Sequence, residues 1–373
     1  MYKKILFLLA LLLIPITTTA TIFPTGRSTE GDLTITGSRN EITNSATIDI
    51  TSAASAGDTS TEVSSTTGFA TGRYILITEP GAGIGNFEVK KISSIVGSDL
   101  SYTEQLVYDY SDTGAQVTLI NEYHNVTIES GGSWTSDVWD DSVGGVLVAI
   151  ISGTLSVETG GEITVEGVGD DGGTNGGASA GTGCSGSGAA GGGGGGNDTA
   201  GSAGGTFGLC YQPGAGGLAN AGDNDVTVNW VIGAGGGNGH GVNNPARAGG
   251  KGGGLILLLT GNDIILVDSG SIKADGADGD PGTGGGGGGG AGGTIYLVSG
   301  RNVTLATTGV TSTGGSGSVG ANAGGGTGGV GRIGVNDSAV VTGTGSPTIN
   351  EVSTNTIYNL DQDAIQINLG ISF

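Results

Sequence analysis

The sequence predicts an all-β fold that is built from stacked strand units. The units begin at four double glycines, each followed by an apolar strand: Gly144-Gly145, Gly253-Gly254, Gly292-Gly293 and Gly328-Gly329. In the best-preserved unit, LILLLTG is followed by two more short strands, NDIILVDSG and SIKADG, and then by a glycine-rich run. Self-similarity of this kind is typical of a stacked architecture, because one unit cannot bury its own apolar face.

Glycine accounts for 83 of the 373 residues, whereas proline accounts for only 7. No strict triplet repeat is present, which excludes collagen, and the aliphatic strands between the glycine runs argue against general disorder. Because glycine has no Cβ, runs such as GGGGGGN and TGGGGGGGAGG can approach one another closely. We therefore expect polyglycine II-like loops, in which extended three-residue helices bond to each other; mobile linkers are the alternative.

The first 20 residues are typical of a secretory signal peptide. A basic start is followed by a short apolar run from Ile5 to Ile16 and by small residues up to Ala20. The apolar run is too short to span a bilayer, so we expect residues 1–20 to be removed and the protein to be secreted or at the cell surface. A retained anchor is the alternative. No transmembrane helix is expected in the mature chain.

Residues 28–122 are predicted to form a small β-barrel or sandwich. Strands such as YILITE and FEVKKISSI alternate apolar and polar residues, as half-buried antiparallel strands do. The segment resembles a β module of phage tail and bacterial surface proteins at Gly68-Phe69, Gly72, Glu88 and Gly97. The resemblance implies a docking or spacer unit.

Residues 123–345 are predicted to form a right-handed parallel β-helix-like stack. Alternation within each unit directs residues such as Leu155 and Val157 inward. The phrases SGSIKADGADGD and GGGGGGGAGGTIYLVSG resemble those of glycine-rich β-helical exoproteins and adhesins of bacteria. The resemblance implies an architecture with polyglycine loops and says little about a ligand. Trp134 and Trp139 are expected either to cap the stack or to lie in its core.

The C-terminal segment, residues 346–373, ends in perfect alternation of apolar and polar residues from Ile365 to Phe373. Three roles stay open for it: a strand that closes the stack, a strand donated to another subunit, and an outer-membrane signal.

The chain is acidic, with 34 acidic residues against 12 basic ones and a net charge of −22. Such a surface repels phosphate backbones, so no nucleic-acid partner is expected. Cys184 and Cys210 are expected to form a disulfide, because the protein is predicted to be exported; two free thiols are the alternative.

One acidic cluster is a candidate metal site. Asp275, Asp278 and Asp280 lie in the turn-rich ADGADGD, and calcium takes oxygen ligands from such flexible backbone. Solvated turns without a metal are the alternative. No other cofactor is expected.

Residues for catalysis are hard to find. His124 and His240 are far apart in sequence, and nothing in the sequence ties Lys273 or Arg301 to a carboxylate. We therefore expect no enzymatic activity and hypothesise a secreted or cell-surface structural or adhesive protein that displays its loops to a glycan or a protein. The alternatives are a carbohydrate-active β-helix lyase or hydrolase, and a self-associating subunit of an extracellular filament or sheath.

Overall fold

The computed structural model describes residues 28–40, 46–80, 85–173, 189–208, 212–219, 226, 230–241, 244–307, 309–336 and 340–352. Within these ranges every regular element is a β-strand, which confirms the all-β fold class, and no helix among them is long and apolar enough to cross a membrane. The signal peptide, Cys184, Cys210 and the alternating C-terminal residues lie outside the described residues, so the interpretations placed on them stay predictions.

The strands follow one another along the chain with short connections inside each unit. In chain order they are β1 (Gly31–Ile35), β2 (Ser38–Asn40), β3 (Thr47–Asp49), β4 (Ser60–Glu62), β5 (Tyr74–Glu79), β6 (Asn86–Val96), β7 (Asp99–Tyr102), β8 (Gln116–Leu119), β9 (Asn121–Ile128), β10 (Ser133–Thr135), β11 (Val146–Ile151), β12 (Leu155–Val157), β13 (Glu162–Thr164) and β14 (Ala189–Ala190). They continue with β15 (Thr206–Phe207), β16 (Gly239–Gly241), β17 (Asn244–Arg247), β18 (Leu255–Thr260), β19 (Ile264–Leu266), β20 (Ser271–Lys273), β21 (Thr294–Ser299), β22 (Val303–Thr304), β23 (Val310–Thr311), β24 (Arg332–Asn336), β25 (Val341–Thr342), β26 (Gly345–Ser346) and β27 (Asn350–Glu351).

Most of these strands form a coil in which parallel strands stack in three columns. The first column is β9-β11-β18-β21-β24-β27, the second is β1-β9-β12-β19-β22-β25, and the third is β2-β10-β13-β20-β23-β26. Strand β9 belongs to two columns, because its first residues pair with β11 and its last residues pair with β12. The predicted parallel β-helix-like stack is thus confirmed, with one strand from each column in a full turn.

The interior of the coil is filled by apolar side chains that are aligned from turn to turn. One such row joins Leu33, Val126, Leu155, Ile264, Val303 and Val341 through the register of the second column. Trp134 is fully buried inside the coil and meets the ring of Tyr123 edge-on, with centroids 6.2 Å apart. Trp139 is buried in a second core outside the coil, so both tryptophans are core residues.

An antiparallel β-barrel interrupts the coil between its first and second turns. Its strand order is β3-β8-β5-β6-β7-β4, and a bridge between Ile50 and Val63 joins the two edges. The boundary predicted at residue 28 differs from this arrangement, because β1 and β2 pair with β9 and β10 of the coil. Alternation alone does not reveal which sheet a half-buried strand joins, so the sequence assigned these residues to the smaller unit.

The barrel packs against the outer face of the first column. Tyr74, Leu76 and Phe87 of the barrel share a core with residues of β11 and β18, and Phe87 stacks on Trp230 at 4.1 Å between ring centroids. Arg73 adds a polar contact, since its Nη2 lies 2.7 Å from Glu30 Oε1. The barrel is therefore fastened to the coil by apolar burial and by an ion pair.

The glycine-rich segments leave the coil and pack together in what we call the glycine bundle, residues 189–205, 212–219, 230–241, 247–253, 274–293 and 312–331. Hydrogen bonds between its runs recur at every third residue: the N–H groups of Gly192 and Gly195 donate to the carbonyl oxygens of Gly286 and Gly289 at 3.0 and 2.9 Å. This is the period of an extended left-handed helix with three residues per turn.

The run from Gly285 to Gly293 lies at the centre of the bundle. Its N–H groups donate to carbonyl groups of three neighbouring runs. The acceptors in the first run are Ala323, Gly326 and Gly329, those in the second are Asp280, Ala277 and Ala274, and those in the third are Gly237 and Ala234. Its carbonyl groups accept from three further runs, through the N–H groups of Gly192 and Gly195, of Gly250 and Gly253, and of Gly315 and Ser318. Gly285 to Gly290 are all buried, so glycine here permits close packing between backbones.

Candidate functional site

The outward face of the third column carries a row of ionisable side chains. In β13 and β20, Ile163 and Ile272 point into the coil, so Glu162 and Lys273 point outward. The pairing continues beyond the strands, since Val165 N donates to Lys273 O at 2.8 Å and Gly167 N donates to Asp275 O at 3.0 Å. This register sets Glu166 beside Asp275 in the next turn of the coil.

We call this row the polar strip; its members are Glu162, Glu166, Lys273, Asp275, Asp278, Thr311, Thr313 and Ser316. Lys273 Nζ lies 3.5 Å from Glu162 Oε2, with both side chains about one-third exposed. The strip starts on the coil and continues onto the outer runs of the glycine bundle. The strip therefore presents charged and hydroxyl groups on backbone that is held in place by the hydrogen bonds of the coil and the glycine bundle.

Asp275 and Asp278 are three residues apart, which matches the three-residue period of the hydrogen bonds between the runs of the glycine bundle. Asp275 Oδ2 accepts a hydrogen bond from Thr311 Oγ1 at 2.6 Å, and its Oδ1 accepts from Thr313 N at 2.6 Å and from Thr313 Oγ1 at 2.9 Å. Three residues later, Asp278 Oδ1 accepts from Ser316 N at 2.6 Å. The carboxylates of Asp275 and Asp278 therefore satisfy the backbone N–H groups of Thr313 and Ser316, for which no other run among the described residues supplies an acceptor.

Of the three residues predicted to bind calcium, Asp275 and Asp278 have carboxylates that accept hydrogen bonds from a neighbouring run. At Asp280 it is the backbone carbonyl that accepts, from Ser318 Oγ at 2.6 Å. Within the described ranges, no group of three or more His, Cys, Asp or Glu residues is arranged to hold a metal ion. Calcium binding by these three residues stays a prediction.

Glu166 is an exposed residue of the strip that lies near Asp275, Lys273 and Glu162. Burial raises its pKa above the ordinary value, the negative charge of Asp275 raises it further, and the positive charge of Lys273 opposes both effects. A carboxyl group with a raised pKa beside a second carboxylate is suited to hold a proton and to donate it.

Replacing Glu166 by glutamine is expected to stabilise the protein at neutral pH and to have no effect at acidic pH. A raised folded-state pKa favours the protonated form, so Glu166 reduces stability as pH rises through that pKa, whereas glutamine is neutral throughout. Thermal melts of the wild type and Glu166→Gln across the pH range measure the difference. Glu129→Gln, at an exposed position after β9, is the control. A difference that is constant with pH would contradict the prediction.

The two histidines do not join the strip. His124 is exposed, and its Nδ1 lies 3.1 Å from Ser152 Oγ; His240 lies on β16, in the glycine bundle. Glu162 and Glu166 are not among the site residues that the sequence singled out. Aligning GEITVEG with GSIKADG would have revealed them, because that alignment sets Glu166 opposite Asp275.

Comparison with known proteins gives only distant similarity. No protein-family model and no curated protein matches the chain. Three solved tailspikes are similar: gp49 of Pseudomonas phage LKA1 (10% identity, 81% of this chain and 48% of that one, TM-score 0.20), Gp54 of Acinetobacter baumannii bacteriophage AP22 in complex with A. baumannii capsular saccharide (9%, 86% and 59%, 0.20), and gp61 of Pseudomonas phage phi297 (10%, 83% and 57%, 0.19). The chain spans about half to three-fifths of the length of these proteins.

The expectation that the chain is not an enzyme is corrected. It depended on the absence of any link between Lys273 and a carboxylate, but Lys273 pairs with Glu162, and Glu166 lies beside Asp275. An enzymatic role and a structural role are both compatible with this fold.

Proposed function

We propose that this chain is an exported surface protein that binds glycans along the polar strip. The supporting observation is the strip itself, in which carboxylates, a lysine and hydroxyl groups stand in register on neighbouring turns of the coil. Sugar hydroxyl groups donate to carboxylates and accept from ammonium groups, and a rigid support reduces the entropic cost of binding. Export is expected from the basic and apolar start of the sequence.

A second candidate function is the cleavage of the glycan that the strip binds. The observation that favours it is the raised pKa of Glu166 beside Asp275. Two carboxyl groups of different proton affinity are what glycoside hydrolysis requires, one to protonate the leaving oxygen and the other to act as base or nucleophile.

One experiment tests both functions. Binding of a panel of neutral, acidic and capsular polysaccharides is measured by calorimetry, and release of reducing ends is followed in the same mixtures. We expect Lys273→Ala to weaken binding by about tenfold, the effect of losing one charge-assisted hydrogen bond. Glu166→Gln keeps the shape of the strip, so it is expected to bind but to release no reducing ends.

The control is Lys251→Ala, which removes a lysine from an exposed pair with Asp171 outside the strip. If Lys273→Ala and Lys251→Ala bind every polysaccharide as the wild type does, the strip is not the binding surface. If Glu166→Gln releases reducing ends at the wild-type rate, Glu166 is not the proton donor.

A further inference from the structure

The polar strip carries more negative than positive charge. Its carboxylates are those of Glu162, Glu166, Asp275 and Asp278, and its ammonium group is that of Lys273. Lys273 Nζ lies 3.5 Å from Glu162 Oε2, so the charge of the lysine is already matched within the strip. The other three carboxylates leave the strip with a net negative charge.

The electrostatic environment of Glu166 shows which sign prevails on the strip. Burial raises the pKa of Glu166, and the negative charges of Asp275, Glu162 and Asp278 raise it further. The positive charge of Lys273 lowers this pKa, but by less than Asp275 alone raises it. The potential at Glu166 is therefore negative in spite of the nearby lysine, and an additional anion would be repelled from it.

Two of the carboxylates face the solvent. Glu166 and Asp278 are exposed. Asp275 is partly buried, and its carboxylate oxygens accept hydrogen bonds from Thr311 and Thr313 at 2.6 to 2.9 Å. Glu166 and Asp278 are thus the carboxylates of the strip that a bound glycan would meet most directly.

We propose that the polar strip selects glycans without acidic groups, and that Glu166 and Asp278 set this specificity by repelling acidic glycans. The inference rests on the proposed function, because it concerns what the same strip binds. A like charge held against the wrong ligand is a general route to specificity. An acidic glycan would also have to compete with Glu162 for Lys273. The hydroxyl groups of a neutral glycan avoid both costs, because they can donate hydrogen bonds to the carboxylates.

The test first identifies the tightest partner and then changes only its charge. Calorimetry measures binding of the neutral polysaccharides galactomannan, glucomannan and pullulan and of the acidic polysaccharides polygalacturonate, alginate and hyaluronate. We expect the tightest partner to be neutral. Its primary hydroxyl groups are then oxidised to carboxylates, and part of the product is converted to the methyl ester. The two products have the same sugar backbone, so the ratio of their dissociation constants isolates the effect of charge.

At about 0.1 M salt, the wild type is expected to bind the oxidised form about tenfold more weakly than the methyl ester, since each of two exposed like-charge contacts contributes about a factor of three. Screening is expected to reduce this ratio as the salt concentration approaches about 1 M. Glu166→Gln combined with Asp278→Asn is expected to lower the ratio to about twofold or less. Asparagine keeps an oxygen that can accept from Ser316 N, as Asp278 Oδ1 does at 2.6 Å.

The control is Asp99→Asn combined with Asp112→Asn, which removes the same charge from exposed positions on the barrel and is expected to keep the wild-type ratio. An oxidised form that binds as tightly as its methyl ester overturns the inference but leaves glycan binding by the strip intact. An acidic polysaccharide as the tightest partner, a ratio that survives in the strip variant, or a ratio that is lost in the control also overturns it. Absence of binding to every polysaccharide overturns the proposed function as well.

Discussion

Replacement of Gly287 by alanine is expected to lower the free energy of unfolding by about 3 kcal/mol, at the upper end of what overpacking costs. A Cβ built on Gly287 falls on the carbonyl oxygen of Ala248, well inside the 3.0 Å that real Cβ atoms keep. The contact is with backbone, and the runs that surround Gly287 are bonded to it, so neither side can move without breaking hydrogen bonds. Chemical denaturation of the variant and the wild type measures the change.

Gly324→Ala is the matched control within the same bundle. A Cβ on Gly324 meets only the carbonyl oxygen of Ser318, at 3.7 Å, which is an ordinary van der Waals contact. We expect this variant to be as stable as the wild type or slightly more stable, since alanine restricts the unfolded chain. If Gly287→Ala is equally well tolerated, the central run does not pack as the hydrogen bonds indicate.

Replacement of Arg332 by alanine is expected to cost about 3–5 kcal/mol, as breaking a buried ion pair does. Arg332 is completely buried at the start of β24; its Nη1 donates to Asn197 Oδ1 at 2.6 Å, and its Nε lies 3.5 Å from Asp198 Oδ1. Asn197 in turn donates to the carbonyl oxygens of Gly292 and Gly293 at 2.6 and 3.2 Å. Arg332 therefore ties the glycine bundle to the coil, and hydrogen exchange in the bundle is expected to rise with its loss.

The comparison is with Lys251→Ala, which removes an exposed pair. Lys251 Nζ lies 2.5 Å from Asp171 Oδ1, but the two side chains are 42% and 55% exposed. Water screens such pairs, so the expected cost is below about 1 kcal/mol. Equal costs for the two substitutions would show that Arg332 is not held by a buried pair.

The strands of the coil follow from the sequence because their signal is local. In TLSV and GEIT, inward and outward residues alternate, and the register of β12 and β13 with their neighbours keeps Leu155 and Ile163 inside. The close packing of the glycine runs can also be predicted from composition, because backbones that pack this closely leave no room for side chains. These features determined the fold class without any knowledge of distant contacts.

The local sequence pattern did not predict which sheet β1 and β5 each join. DLTI alternates polar and apolar residues and YILI is apolar throughout, but neither pattern identifies the partner strand: β1 pairs with β9 of the coil and β5 with β6 and β8 of the barrel. The pattern states that a strand has a buried face; it does not state which surface buries it. The insertion of the barrel between two turns of the coil was decided by tertiary packing.

The polar strip likewise was predicted only in part from the sequence. Asp275 and Lys273 stand in one unit and Glu162 and Glu166 in another, with the long glycine-rich insertion between them. Sequence alone singled out the cluster of Asp275, Asp278 and Asp280, but the hydrogen bonds of Asp275 with Thr311 and Thr313 and the environment of Glu166 arise only when successive turns stack. Local periodicity determined which residues form strands and which glycine runs can pack. Contacts between residues far apart in sequence decided which carboxylates meet, because they depend on the register of the stacked turns.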